Sequence, residues 1–440
     1  MTPNYIDDIQ RNGVVGAGGA GFPTHVKLNA KAKIVIINGA ECEPLLKVDQ
    51  QLMAAYPNEV IKGLRIAMKQ TGASQGYVGV KKKYKEAVLN LSEIAQYEDD
   101  IEIKTVGDYY PAGDEIQLVY ELTNQRVPLM GIPLDVGIVV INVLTAINIA
   151  NGKPVTERVV TIAGEVTNPK TMNVPVGTTY RELIVYCGGP ANNIDHTIVV
   201  GGPMMGTVVE DWDTPVSKLT SGIIVLPKYH HLVRKKTRKT KTDLNLTKAI
   251  CCQCFACTDL CPKFILGMGV KPHQAMRGLA NDNPATLGSI EAVAGCNNCN
   301  LCTFYACPMD LDPGKITTLV RTSLIQKGVR TEKIVPEEVE ELRSAKKVPT
   351  KRLKARLDLL EYDIPAPLDM RIYPASEVHV PLKQHIGVPA TPIVSIGDTV
   401  SKGQIIGTCG DKLGANVHAS INGTVIDITE RTIRIQELEV

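Results

Sequence analysis

The stretch that decides the fold begins Cys251-Cys252-Gln253-Cys254-Phe255-Ala256-Cys257-Thr258-Asp259-Leu260-Cys261-Pro262. After a gap it resumes as Cys296-Asn297-Asn298-Cys299-Asn300-Leu301-Cys302-Thr303-Phe304-Tyr305-Ala306-Cys307-Pro308. The first run fits C-x2-C-x2-C-x3-C-P, and the second adds one residue before its last cysteine. Three thiolates spaced by two residues wrap one face of a cubane, while the Cys-Pro after a longer gap reaches the other cluster. The spacing therefore predicts two [4Fe–4S] clusters. Cys251, Cys254, Cys257 and Cys307 would hold one, and Cys296, Cys299, Cys302 and Cys261 the other. Structural zinc and disulfides are the bland alternatives; zinc takes four ligands per site but has no use for two three-plus-one sets ending in Cys-Pro. Cys252 is left over, since a register that uses it loses the spacing. Such a pattern points to electron transfer.

Working outward, 440 residues suffice for a large core and about three domains. One Trp and four Phe make a base-stacking nucleic-acid platform a poor fit, and a net charge of +2 creates no strong field towards nucleic acid or membrane. Of twelve cysteines, the clusters leave Cys42, Cys187, Cys252 and Cys409. Clusters of this kind need a reducing interior, so the expectation is an intracellular protein. Met1–Gln10 lacks a charged-then-apolar signal pattern. The longest apolar run, Val136–Ala150, is interrupted by Asn142 and Asn148 and is too short to span a bilayer. It reads as a buried strand running into a helix.

Near the start, Gly13 to Lys27 is a glycine-rich loop containing Gly16, Gly18, Gly19 and Gly21. Glycines let the backbone turn sharply and approach a phosphate, with free N–H groups cradling the anion. The loop is neither a Rossmann fingerprint nor a P-loop: no strand precedes it, its glycine spacing differs, and no Gly-Lys-Ser/Thr closes it. Ala32–Ile37 reads as a buried strand ending in Asn38-Gly39-Ala40-Glu41-Cys42-Glu43-Pro44, and open α/β sheets place ligands at the carboxyl ends of strands. Asn38 and Glu41 offer an amide and an acceptor to a ring or ribose. Glu43 is either a third such contact or a solvated turn residue.

These residues carry a resemblance. Gly18-Gly19-Ala20-Gly21-Phe22-Pro23-Thr24 with Asn38-x-x-Glu41-x-Glu43-Pro44 is similar to the flavin- and NADH-binding subunit of respiratory complex I. It resembles more closely the C subunit of the Rnf complex and the PduS-type cobalamin reductases of propanediol-utilisation microcompartments. The resemblance implies FMN with its phosphate on Gly16, Gly18, Gly19, Gly21 and Lys27, its ring towards Asn38 and Glu41, and NADH as co-substrate. The segment around Gly113, Asp114 and Glu115 resembles the family's second flavin loop, although acidic residues also favour helix starts through the dipole. Asn142 and Thr145 resemble the third. Complex I-type sequences carry Arg where this chain has Ala17, and Asp where it has Ala40.

The remaining chain reads as modules of a multidomain α/β plus β protein. Residues 1–152 are expected to form an FMN/NADH-binding α/β domain with a mainly parallel sheet, as strands and helices alternate. In it, Lys81-Lys82-Lys83 reads as the solvated start of a helix. Residues 153–227 resemble a β-grasp of the soluble-ligand-binding (SLBB-like) type, with a capping box at Thr179-Tyr180-Arg181-Glu182. Its loop Gly201–Gly206 either binds a ligand or, more simply, packs between domains. Residues 228–244 read as a basic linker, a solvated tether or a surface steering an acidic partner. Residues 245–365 form the ferredoxin-like two-cluster domain with a charged helical extension, and residues 366–440 resemble a barrel-sandwich hybrid. Carriers of that type display a modified lysine, and Lys412 lies in the wrong setting, so a structural or docking role is expected.

The resemblance implies an oxidoreductase passing electrons from NADH through FMN and both clusters to a corrinoid, reactivating B12 for a diol dehydratase. Flavin is required because hydride carries two electrons and each cluster takes one. Implied partners are cobalamin, a corrinoid-handling adenosyltransferase, and microcompartment shell or enzymes, with a homo-oligomer open and nucleic acid absent. The implied location is the cytoplasm or a bacterial microcompartment. Two other readings stand beside this one: an Rnf C-like module serving another reductase, and a non-enzymatic docking scaffold with structural clusters.

Overall fold

The structure is a computed structural model that describes residues 5–191 and 193–438. The ends of the first and last modules, and four residues of the Met1–Gln10 segment, lie outside the described residues. Four parallel strands form the first sheet in the order Ile101–Val106, Gln75–Lys81, Ile34–Gly39, Ile138–Asn142. The central strand Ile34–Gly39 is a continuous apolar run, as parallel strands covered on both faces require. Val35 and Ile37 face helices Pro57–Thr71 and Val143–Asn151 through Val60, Leu64, Ala67 and Ile147. Ile34 and Ile36 face helix Glu115–Thr123 through Leu118, Val119 and Leu122, and that core continues into Cys261, Leu266 and Met268 of the cysteine-rich module. The alternation of one strand thus joins two modules.

Helix Pro57–Thr71 starts with proline in its first turn and stops at Gly72, whose φ of 71° ends it in the left-handed conformation. Gly63 lets helix Val143–Asn151 come close, since a Cβ there would lie 2.1 Å from the Ala146 carbonyl. Lys81 departs from the expectation of a solvated helix start: it ends a strand, is buried, and its Nζ lies 3.1 Å from Asp108.

The second sheet has six strands in the order Leu368–Ile372, Lys170–Pro175, Glu157–Gly164, Gly222–Pro227, His196–Val200, Thr207–Val209. The strand at 368–372 follows the cysteine-rich module yet pairs parallel with Lys170–Pro175, so the chain returns to the second module before building its last one. The expected capping box forms: Thr179 accepts from Glu182 N, and the Glu182 carboxylate accepts from Thr179 N. From Glu377 onward, a four-stranded and a three-stranded sheet enclose Val378, Ile406, Val417, Val425 and Ile433.

Two expectations are corrected. The basic stretch is not a solvated tether: it contains helices His231–Thr237 and Thr240–Ile250, and Lys235 is buried with its Nζ 2.8 Å from the Thr303 carbonyl and 2.6 Å from Asp310. Lys235, Lys236 and Arg238 serve packed partners while Lys228, Arg234, Lys239 and Lys241 are exposed, a distinction that counting charges along the chain does not reveal. The extension from Asp312 to Asp363 is only partly helical, at Pro313–Gln326 and Thr350–Arg356. Among the described residues no helix is long and apolar enough to cross a membrane.

Candidate functional site: a flavin loop against two thiol quartets

All twelve cysteines are free thiols. The chain bends around the middle cysteine of each run in the same way. Gln253 and Phe255 flank Cys254 with φ of 55° and 61°, and Asn298 and Asn300 flank Cys299 with φ of 57° and 58°. Non-glycine residues adopt this left-handed conformation at a cost, asparagine least. The bends gather the sulfurs. Cys257 lies close enough to Cys307, Cys254 and Cys251 to be raised by their charge, on top of a larger effect of burial. Cys302 is raised by burial first and then by Cys299, Cys296, Cys261 and finally Cys257. Cys257 thus has Cys307 of the second run for a neighbour, and Cys302 has Cys261 of the first, so the two runs come together. Cys252 is exposed.

Burial pushes the Cys257 and Cys261 thiols up to about 12. Thiolates in such surroundings need a cationic core to balance them, and thiolate-only quartets suit iron–sulfur chemistry. Among the described residues no group of three or more His, Cys, Asp or Glu side chains is placed to hold a single metal ion. An all-cysteine donor set is chemically suited to [4Fe–4S] clusters.

In the glycine loop, Gly16 N donates to the Phe22 carbonyl and Ala17 N to Thr145 Oγ1 at 2.9 Å, while Gly18, Gly19 and Ala20 are exposed, with no hydrogen bond from their N–H groups to the described residues. A Cβ on Gly18 would lie 2.8 Å from Asn142 Nδ2, whereas Gly19 has open space. Asn142 caps helix Val143–Asn151 by accepting from Leu144 N and donates to Asp49. Asn38 Nδ2 donates to the Gly113 carbonyl at 2.9 Å, so the strand end at 38 and the turn at 113 form one wall. A Cβ on Gly113 would lie 2.5 Å from the Ala40 carbonyl. Lys27 Nζ lies 2.9 Å from Glu115 and does not reach the free N–H groups with an unpaired charge.

Glu41 keeps one oxygen, Oε2, buried and unbonded, while its carboxyl accepts a backbone hydrogen bond from Asp49; burial first, then the Asp49 charge, raises its pKa to about 8. Glu43 is engaged elsewhere, accepting from Met204 N and Met205 N at 2.8 Å each, so Gly201–Gly206 packs between modules. The open N–H groups of Gly18, Gly19 and Ala20 have the chemistry to receive an anionic phosphate.

The segment from Tyr110 to Gln117 also grips the cysteine-rich module. Tyr110 Oη donates to the Cys299 carbonyl at 2.7 Å, and Gln117 Nε2 to the Pro262 carbonyl at 2.9 Å. Asp114 caps helix Glu115–Thr123 with one oxygen and accepts from Asn297 with the other. Sequence reading missed Tyr110, Asp49, Arg158 and Asn297. Arg158 carried a signal, a lone cation inside a β-branched strand. It is buried, and its Nη2 donates to the Ala17 carbonyl at 3.0 Å.

Four family descriptions match in chain order: the Nuo51 FMN-binding domain over residues 9–151, the SLBB domain over 159–208, the 4Fe-4S dicluster domain over 250–312, and the RnfC barrel sandwich hybrid domain over 369–438. Cobalamin reductase PduS of Citrobacter freundii is 40% identical over 97% of this chain and 95% of its own. The Salmonella typhimurium protein of that name is 39% identical with the same coverage. The C subunit of the Na+-translocating ferredoxin:NAD+ oxidoreductase complex of Acetobacterium woodii is 37% identical over 57% of this chain and 56% of its own. With near-complete coverage at this identity, the chain belongs to the PduS family of flavo-iron–sulfur oxidoreductases.

Proposed function

We propose that the chain is an NADH-dependent corrinoid reductase. FMN supplies the conversion of a two-electron hydride into single electrons, and two [4Fe–4S] clusters carry single electrons. The chain's own residues do the holding. The N–H groups of Gly18, Gly19 and Ala20 receive the phosphate, with Gly16 and Gly21 shaping the turn. Asn38, Gly113 and Asn142 would fix the walls, and Glu41, kept mostly protonated at neutral pH by burial, would offer its carboxyl to the ring side. Thr145 ties the loop to the wall through Ala17 N, while Glu43, Asp114, Glu115 and Lys27 brace segments around the flavin.

The observation that supports this reading is the contact of Tyr110 and Asp114 with the Cys299 carbonyl and Asn297, which ties the second cysteine run to the first module. The quartet Cys251, Cys254, Cys257 and Cys307 lies beyond it, with Cys254 exposed, and gives the acceptor its approach. Two relatives named cobalamin reductase favour a corrinoid as that acceptor. The test is steady-state NADH oxidation by loaded protein under anaerobic conditions, with the cobalamin spectrum followed in parallel. Matched NADH loss and cobalamin reduction support the reading. NADH oxidation with an artificial acceptor but none with cobalamin replaces it with an Rnf C-like module serving another reductase. No NADH oxidation by loaded protein leaves the docking scaffold.

A further inference from the structure

The glycine loop has a second side, and it faces the rest of the molecule. Lys218 Nζ donates to the Gly13 carbonyl at 2.8 Å and to the Asn416 carbonyl at 2.9 Å. Ile386 N donates to the Gly21 carbonyl at 3.1 Å, and His418 Nε2 lies 2.9 Å from the Arg11 carbonyl. Lys218 belongs to the loop before strand Gly222–Pro227, whereas Ile386, Asn416 and His418 come from the final β module. The approach at Gly13 is close: φ is +62°, and a Cβ would lie 2.4 Å from the Asn416 carbonyl and 2.6 Å from Lys218 Nζ.

Lys218 is an unusual residue to find there. It is only 3% exposed and makes no ion pair among the described residues; burial lowers it to about 7, with only the Cys409 thiol acting in the other direction. A buried ammonium with no acid beside it is expensive unless fixed acceptors surround it. Its backbone N–H is also fixed, donating to Gln384 Oε1 at 2.9 Å, and Gln384 is buried.

We propose that Lys218 is a positioning residue of the flavin site: it clasps the carbonyl side of the Gly13–Gly21 loop to the C-terminal β module, so that the N–H side keeps the shape a phosphate needs. The inference rests on the reading of that loop as the FMN phosphate cradle. It gives the barrel-sandwich module a task in cofactor binding without any carrier lysine. The ring side is built separately, on Asn38 and Gly113, and does not depend on the clasp.

The test compares dissociation constants of FMN and riboflavin, which lacks the phosphate, for cluster-loaded wild-type protein, Lys218→Met and Lys218→Gln, with iron content measured on each. Wild-type protein is expected to prefer FMN. Lys218→Met should cut that preference by about tenfold or more, in keeping with the loss of charged hydrogen bonds, while riboflavin affinity and iron content stay put. Lys218→Gln, which keeps a donor, should fall between. Parallel loss of both ligands, or an unchanged preference in both variants, overturns the clasp. Equal binding of FMN and riboflavin by wild-type protein instead overturns the phosphate cradle itself.

Discussion

Glu43 shows how a single carboxyl couples two modules. It accepts two backbone N–H bonds from Met204 and Met205, yet burial outweighs them and raises its pKa from 4.5 to about 7. The folded state therefore holds this proton more tightly than the unfolded chain. Stability from the neutral form is full below about pH 4.5 and is lost as pH rises towards 7, with a slope of at most about 1.4 kcal/mol per pH unit. Glu43→Gln should flatten that part of the profile in denaturant unfolding against pH, and an unchanged slope would show that Glu43 is not the group responsible. The cysteines make a sharper pair at this scale. Cys254→Ser is expected to remove one cluster, roughly four of eight irons, whereas Cys252→Ser should keep all of them; iron analysis and the reduced-state EPR spectrum decide. The cofactor class was legible in the sequence because cysteine spacing is local. Glu43 was not, because its partners lie far along the chain and a turn glutamate looks the same whether solvated or buried.

At the scale of elements, strands and helices with strong periodicity were readable. The strand at 34–39, the helix at 57–71 and the capping box at 179 all follow from apolar spacing and end signals. Thr179→Ala should cost about 1 kcal/mol, seen as a lower unfolding midpoint for the second module, and no shift would mean the cap is replaced by water. The basic helix His231–Thr237 was misread for a physical reason: charge density suggests solvent, but Lys235 and Lys236 spend their donors on carbonyls of Thr303 and Gly206. Lys235→Met is therefore expected to destabilise by about 1.5–3 kcal/mol and to speed iron loss to a chelator, where a solvated lysine would change neither.

Across the whole molecule, function depends on convergence that no local pattern announces. The Ile34–Gly39 strand shares one core with the cysteine-rich module, and the strand at 368–372 returns to the second sheet. Arg158 and Lys218 reach the glycine loop from the second module, 141 and 205 residues away in the chain. Motifs identified the modules and their cofactor classes; only packing shows that Tyr110 and Asp114 of the first module bond to Cys299 and Asn297 of the cysteine-rich one. The measurement that tests this most directly is anaerobic double-mixing stopped flow. Loaded protein meets NADH, and cobalamin is added after a set delay. The arrangement predicts flavin bleaching first, cluster bleaching next, and cobalamin reduction only once the clusters are reduced. Cobalamin reduction at full rate while the clusters remain oxidised would contradict it.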